Sequence, residues 1–222
     1  MNRDEFLARV REAAHAGRQY RVTIAEHVPR ECCSMIEEDL LVRLAAEIEA
    51  VGGHAHRVSD DNAARGALVG LLDQYAPRAA LVWQHPLLDE LGLASVLAEK
   101  GIARHDYDNL APLGRDECRR RMLAADVGIS SADFAIAESG TLAVCSQAGQ
   151  ERAVSLLPLV HVAIVRREQV LADLFDLFER LGAGELQSSV VLITGPSKTG
   201  DIELTLTTGV HGPRQWHVIL IG

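Results

Sequence analysis

The sequence predicts an α/β protein, with a mixed, largely parallel sheet flanked by helices and an N-terminal helical segment. Three observations carry this. Between about His54 and Leu123 short apolar runs alternate with amphipathic ones, the rhythm of strands joined by covering helices. After Asp126 the rhythm changes to paired apolar runs split by Glu138-Ser139-Gly140, which reads as a hairpin or strand pair at a sheet edge. Near the C-terminus the run Ser189–Ile193 leads into Gly195-Pro196-Ser197-Lys198-Thr199-Gly200-Asp201-Ile202-Glu203, so glycine-rich polar chemistry follows a strand expected to be buried.

Taken in order, Phe6, Leu7, Val10 and Ala13 or Ala14 recur near a 3.6 period and predict a helix over Asp4–His15. Val22–Glu38 carries charges and Pro29 and reads as an irregular connection or flexible arm. Leu40, Leu41, Leu44, Ile48 and Val51 restore the helical stripe over Glu37–Val51, and Gly52-Gly53 stops it. The boundary therefore falls between residues 1–36 and an α/β domain over 37–222.

Next come a strand at His54–Val58, a helix at Asp61–Tyr75, a buried strand at Ala79–Trp83, a helix at Pro86–Lys100, a short strand at Ile102–His105 and a helix at Arg115–Ala124. Phe134–Ala137 and Thr141–Cys145 form the strand pair, and Leu159–Val165 follows Pro158 as a strand. Arg167–Leu181 is amphipathic and predicts a helix ended by Gly182. Ser189–Thr194 and Trp216–Ile221 complete the strands.

Composition excludes several function classes. The chain of 222 residues has 22 basic and 31 acidic side chains, a net charge of −9, and no long basic run, which argues against a nucleic-acid partner. Aromatic residues are only 4%, too few for rows that stack bases. No apolar run approaches the ~20 residues of a membrane span, and Met1–Phe6 is too charged for a secretory signal. A cytoplasmic protein is expected.

The cysteines, Cys32-Cys33, Cys118 and Cys145, have no C-x-x-C spacing, so reduced thiols are expected and no iron–sulfur cluster or metal in this chain. His54 and His56 would share one face of an edge strand, a geometry that can also hold a metal. No G-x-S-x-G, Walker or G-x-G-x-x-G string is present, which removes the motifs of serine hydrolases, P-loop enzymes and dinucleotide dehydrogenases.

Two loops concentrate the remaining chemistry. In the first, Glu138 could be a base or nucleophile, with Gly140 and Thr141 forming the turn beside it; the alternative is a solvated turn with Glu138 paired or capping. In the second, Gly195, Ser197, Lys198 and Thr199 suit an anion cradle of backbone N–H groups, hydroxyls and one positive charge. Asp201 and Glu203 oppose an anion unless they pair with Lys198, bind a cation or handle protons, and a glycine-rich turn capping a short helix fits the same spacing. His211, between Gly209 and Gly212-Pro213, is a candidate general base or anion contact.

Together, Ala135–Leu142, Leu157-Pro158 with His161–Val165, and Gly195–Glu203 with Gly209–Pro213 resemble the LUD-domain family over about residues 40–222. Relatives commonly read G-x-S-[RK]-T-A-D-I-E in the last motif, so Gly200 stands where alanine is usual. The resemblance implies a fold similar to that of ribose-5-phosphate isomerase and the CoA-transferases. It also implies an accessory, non-redox role in L-lactate oxidation beside two iron–sulfur partner proteins, with a small-anion or carboxylate pocket at the two loops. Self-association is left open. Alternatives are an independent enzyme on a phosphosugar or acyl-CoA using Glu138, by analogy with the E-x-G element of CoA-transferases, and a ligand-sensing or structural module.

Overall fold

The structure, a computed structural model, describes residues 2–17, 39–182, 189–199, 207–208 and 211–222. The chain divides into two compact units, Met1–Ile36 and Glu37–Gly222. In the first, helix α1 (Arg3–Gly17) opens on a reciprocal cap. The Asn2 side chain accepts from Glu5 N at 2.8 Å, and Asn2 N donates to the Glu5 carboxylate at 3.0 Å. The irregular arm expected over Val22–Glu38, with Cys32 and Cys33, lies outside the described residues.

In the second unit, α2 (Leu40–Ala50) buries Leu41, Leu44 and Ile48 along one stripe. Asp39 caps it by accepting from Leu41 N, and Arg167 holds the other side of that carboxylate at 2.8 and 3.0 Å. Strand β1 (His54–Val58), helix α3 (Asp61–Tyr75) and strand β2 (Ala79–Val82) follow. The single helix expected over Pro86–Lys100 is two, α4 (Pro86–Glu90) and α5 (Leu93–Glu99). The chain turns at Gly92, whose φ of +67° is left-handed and whose missing Cβ leaves room for the Arg65 guanidinium to reach Leu91 O.

Strand β3 (Ala103–His105), helices α6 (Tyr107–Leu110) and α7 (Arg115–Leu123) and strand β4 (Val127–Ser131) come next. They lead to the hairpin of β5 (Phe134–Ile136) and β6 (Thr141–Cys145). Then come α8 (Ala153–Leu156), β7 (Val160–Arg166), β8 (Val170–Leu171), α9 (Leu174–Gly182), β9 (Val190–Ile193), β10 (Lys198–Thr199), β11 (Thr207–Thr208) and β12 (Gln215–Ile221).

These strands build a six-stranded sheet in the order β1-β12-β7-β4-β2-β3, parallel throughout. The antiparallel pairing read from the sequence belongs to a separate four-stranded sheet, β8-β5-β6-β9. Each face of this second sheet is covered. Ala135, Leu142 and Val144 join the large core around β7 and β12, while Ile136, Ala143 and Leu171 pack with Leu177 of α9 in a smaller cluster. Burial of both faces explains why Thr141–Cys145 lacks the alternation of a half-exposed strand.

Two local expectations change. Arg167–Leu181 is not one helix: Val170-Leu171 pairs with Ala135-Ile136 as a parallel strand, and α9 begins only after Asp173, whose carboxylate accepts from Asp176 N at 2.9 Å. The run containing Val190 and Leu192 is an edge strand, with these side chains 37% and 45% exposed, because it pairs only with β6 among the described strands.

Candidate functional site

The end of α2 organises the site. Gly53 lies under the indole of Trp216: a Cβ there would stand 2.5 Å from the ring and 2.9 Å from Ile48. Only glycine permits that contact. Gly140, at φ +64°, presses against the next turn up, where a Cβ would meet the Glu47 and Ile48 backbone at 2.6–2.9 Å. Gly195 sits over the Val51 carbonyl, and Lys198 Nζ donates to that same carbonyl at 2.6 Å. The C-terminal carbonyls of a helix lack intrahelical partners and carry partial negative charge, so Lys198 acts here as a helix-terminal cap.

The two glycine-rich loops therefore meet at one helix end. Thr141 Oγ1 bridges them, bonded to Ser139 Oγ at 2.8 Å and to Thr194 Oγ1 at 2.7 Å. Ser197 N donates to Pro213 O at 2.9 Å, tying the second loop to the His211–Pro213 turn.

Between the second loop, the His211–Pro213 turn and the amino ends of β7 and β12 lies a cavity of about 190 Å³. Gly195, Ser197 and His211 line it, together with Thr194, His161 and Trp216. His161 and Trp216 are register partners on adjacent parallel strands, so both side chains leave the sheet on one face. His161 is fully buried, and its Nε2 is 2.8 Å from Ser130 Oγ. Burial pushes its pKa down to about 4, which keeps the imidazole neutral at neutral pH. The His161 Nδ1 and Trp216 Nε1 atoms are buried without a hydrogen-bond partner. No Asp, Glu, Lys or Arg lines this cavity among the described residues.

Other candidates stand elsewhere. Glu138 is exposed on the β5–β6 turn, its backbone N bonded to Ala172 O at 3.0 Å, and neither it nor Gly140 lines the cavity. Thr199 lies in β10, and Asp201 and Glu203 lie outside the described residues. Ser130, His161 and Trp216 are the members that sequence reasoning missed. A histidine interrupting the apolar run of β7 was the available signal.

On the opposite face of the sheet, His217 forms a second polar cluster. It bonds His56 Nε2 at 3.0 Å and Tyr75 OH at 2.8 Å, and stacks on His54 at 4.8 Å between ring centroids. Burial, then the charges of His54 and His56, pushes the His217 pKa down to about 4. Among the described residues no group of three or more His, Cys, Asp or Glu side chains could hold a metal ion. Cys118 and Cys145 are free thiols, and burial raises the Cys145 pKa to about 11, so it stays a protonated, unreactive thiol. No helix among the described residues is long and apolar enough to cross a membrane.

A parallel sheet flanked by helices, with a second sheet and the Thr194–Ser197 and His211–Pro213 segments bordering a small cavity at its strand ends, defines the α/β class of this domain. The chain belongs to the LUD domain family, which it matches over residues 41–221. It is 31% identical over 226 aligned positions to lactate utilization protein C of Shouchella clausii, covering 96% of this chain and 94% of that one. It is 34% identical over 152 positions to lactate utilization protein C of Halalkalibacterium halodurans, covering 66% and 64%. The crystal structure of a DUF162 family protein from Deinococcus radiodurans shares the fold, with a TM-score of 0.60 and 22% identity over 82% of this chain and 96% of that one.

Proposed function

We propose that this chain serves lactate utilization as a cytoplasmic, non-redox subunit, beside two iron–sulfur proteins that carry the electrons, and that its cavity receives a small carboxylate. The observation that carries this reading is the nearly end-to-end similarity to lactate utilization protein C. The cavity supports the carboxylate part: Ser197 and His211, which carry O–H and N–H groups, border it, and no carboxylate stands among its described lining residues.

The chain's own contribution is binding and orientation. The neutral His161, steadied by Ser130, and the indole of Trp216 form the floor, and the Ser197 and His211 loops form the rim. Lys198 holds the loop to α2 and thereby sets the rim's position.

The test is co-purification with the candidate iron–sulfur partners, followed by lactate oxidation with and without this chain. Activity that needs the chain, with the chain alone colourless and inactive, is the expected result. Oxidation by the partners at the same rate in its absence overturns the reading.

A further inference from the structure

The free edge of the second sheet lacks the usual protection of a surface strand. The run Ser189-Val190-Val191-Leu192-Ile193 holds no charged residue and no proline, the devices with which exposed edges discourage pairing. Among the described strands β9 pairs only with β6, and the ladder fixes which of its backbone groups are used. Ser189 O accepts from Ser146 N at 2.9 Å, so Ser189 turns its polar backbone toward β6, and in an antiparallel ladder Val191 and Ile193 do the same. The N–H and C=O groups of Val190 and Leu192 therefore point away from β6, along the open edge.

Side chains follow the same alternation. Val191 and Ile193 pack against the main core, while Val190 and Leu192 lie on the other face. That is the face α9 covers, because Leu192 is the register partner of Ala143, which shares a buried cluster with Leu177 of α9. Helix α9 in turn carries Phe175 and Phe178, 60% and 63% exposed and three positions apart on one side of the helix. Together these four apolar side chains expose on the order of 400 Å².

A second copy of the chain matches both features. A two-fold axis through Val191, perpendicular to the sheet, sets β9 antiparallel to its own copy with Val190 opposite the second copy's Leu192. Each such pair exchanges two N–H···O=C bonds, using the groups that β6 leaves over. The axis keeps the faces unchanged, so Val190 and Leu192 of both copies meet in one row, with both α9 helices on that face. The size also fits: a stable interface takes ~800 Å² per partner, rather more than half of it apolar, and the ~400 Å² at these positions supplies most of that share. For a chain of net charge −9, an uncharged edge is also where two copies meet with least repulsion.

We propose that the chain forms a two-fold dimer joined through β9, in which the second sheet runs on into its copy as one eight-stranded sheet and Phe175 and Phe178 stand on the face of the seam. This assembly does not depend on the lactate-utilization reading. Val191, Leu192 and Ile193 also border the cavity of about 190 Å³, so the joint sets the two cavities on either side of the axis.

The test is sedimentation velocity of the full chain from about 1 to 50 μM, a range that spans micromolar affinity. Twice the 24.1 kDa of one chain is expected at the upper end. Val190→Lys with Leu192→Lys puts four like charges at the seam and should weaken association at least about a hundredfold; Phe175→Ser with Phe178→Ser should weaken it about tenfold or more. Leu156→Ser with Leu157→Ser, at exposed positions outside the seam, should leave the dimer intact. Circular dichroism identifies any variant that fails to fold. Should the lysine pair do so, Leu192→Pro, which takes away an outward N–H but no bond to β6, repeats the test with the same expected loss. A chain that stays monomeric throughout, or that pairs only with a different protein, overturns the proposal. So does a dimer that persists in the folded edge variants, or one that dissociates only when Leu156 and Leu157 are changed.

Discussion

The sharpest physical consequence of the structure is a loss of stability in mild acid. His161 and His217 are held neutral in the fold, with pKa values pushed by burial from 6.5 to about 4. Above the unfolded value both states are neutral and stability does not depend on these groups. Below it the unfolded chain takes up protons that the folded chain refuses, so stability falls as pH drops until the folded groups also titrate near pH 4. At about 1.4 kcal/mol per pH unit for each group, the full window costs roughly 3 kcal/mol per histidine. For the pair that is roughly 6 kcal/mol, comparable with the whole stability of many domains.

His56, which bonds His217, is shifted the same way by burial, so the cost of protonating that cluster is shared among its rings. Glu117, paired with Arg120 and Arg121, is held near 2, so its pH dependence begins at the acid edge of this window and continues below it. Urea unfolding at pH 7.5, 6.5, 5.5 and 4.5 measures the effect, and the midpoint should fall through the last three. His161→Gln and His217→Gln should each flatten the slope by about one proton. A midpoint independent of pH over that range, or variants with the wild-type slope, would refute the argument that these imidazoles remain neutral.

Gly140→Ala should destabilise by about 2–4 kcal/mol in thermal melts, since its Cβ would meet the α2 backbone at 2.6 Å in a left-handed conformation; a change under about 0.5 kcal/mol would show that the turn can move aside. Lys198→Ala should cost only a few tenths of a kcal/mol by uncapping Val51 O, and leave monocarboxylate affinity within about twofold, because loss of a direct charged hydrogen bond costs more. A tenfold loss of binding there would place its charge in the site. Gly53→Ala should displace Trp216, whose ring would lie 2.5 Å from the added carbon; near-ultraviolet circular dichroism should report the altered indole environment, and unchanged signal and stability would contradict the contact.

Much of the fold was legible because its signals are local. The stripe of Leu41, Leu44 and Ile48 ahead of Gly52-Gly53 identifies α2, and Asp61–Tyr75 has the stated bounds as α3. What the sequence left open was the partition of strands between two sheets. Apolar runs such as those of β6 and β7 look alike whether they pair parallel or antiparallel, and a strand buried on both faces has no alternation to read. The same ambiguity made β9 look buried, although Val190 and Leu192 face outward. Within the site, Gly195, Ser197 and His211 were visible through turn punctuation. His161 and Trp216 were hidden inside strands, and their significance depends on a register between β7 and β12 that no local pattern encodes.

The glycines of the two motifs invite a ligand-cradle reading, since glycine lets a backbone approach an anion. In the fold the close approach is made to α2 instead. Gly140 meets its Glu47–Ile48 turn, and Gly195 and Lys198 meet its final carbonyl. Residues separated by up to 147 positions are thereby locked to one helix end, and the Gly53 beside that end receives Trp216. The motifs reach the cavity indirectly, by fixing α2, the indole and the Ser197 loop as one packed unit. Close-packed interiors transmit displacements between touching groups, so a side chain added at Gly53 or Gly140 should disturb the site without touching a ligand.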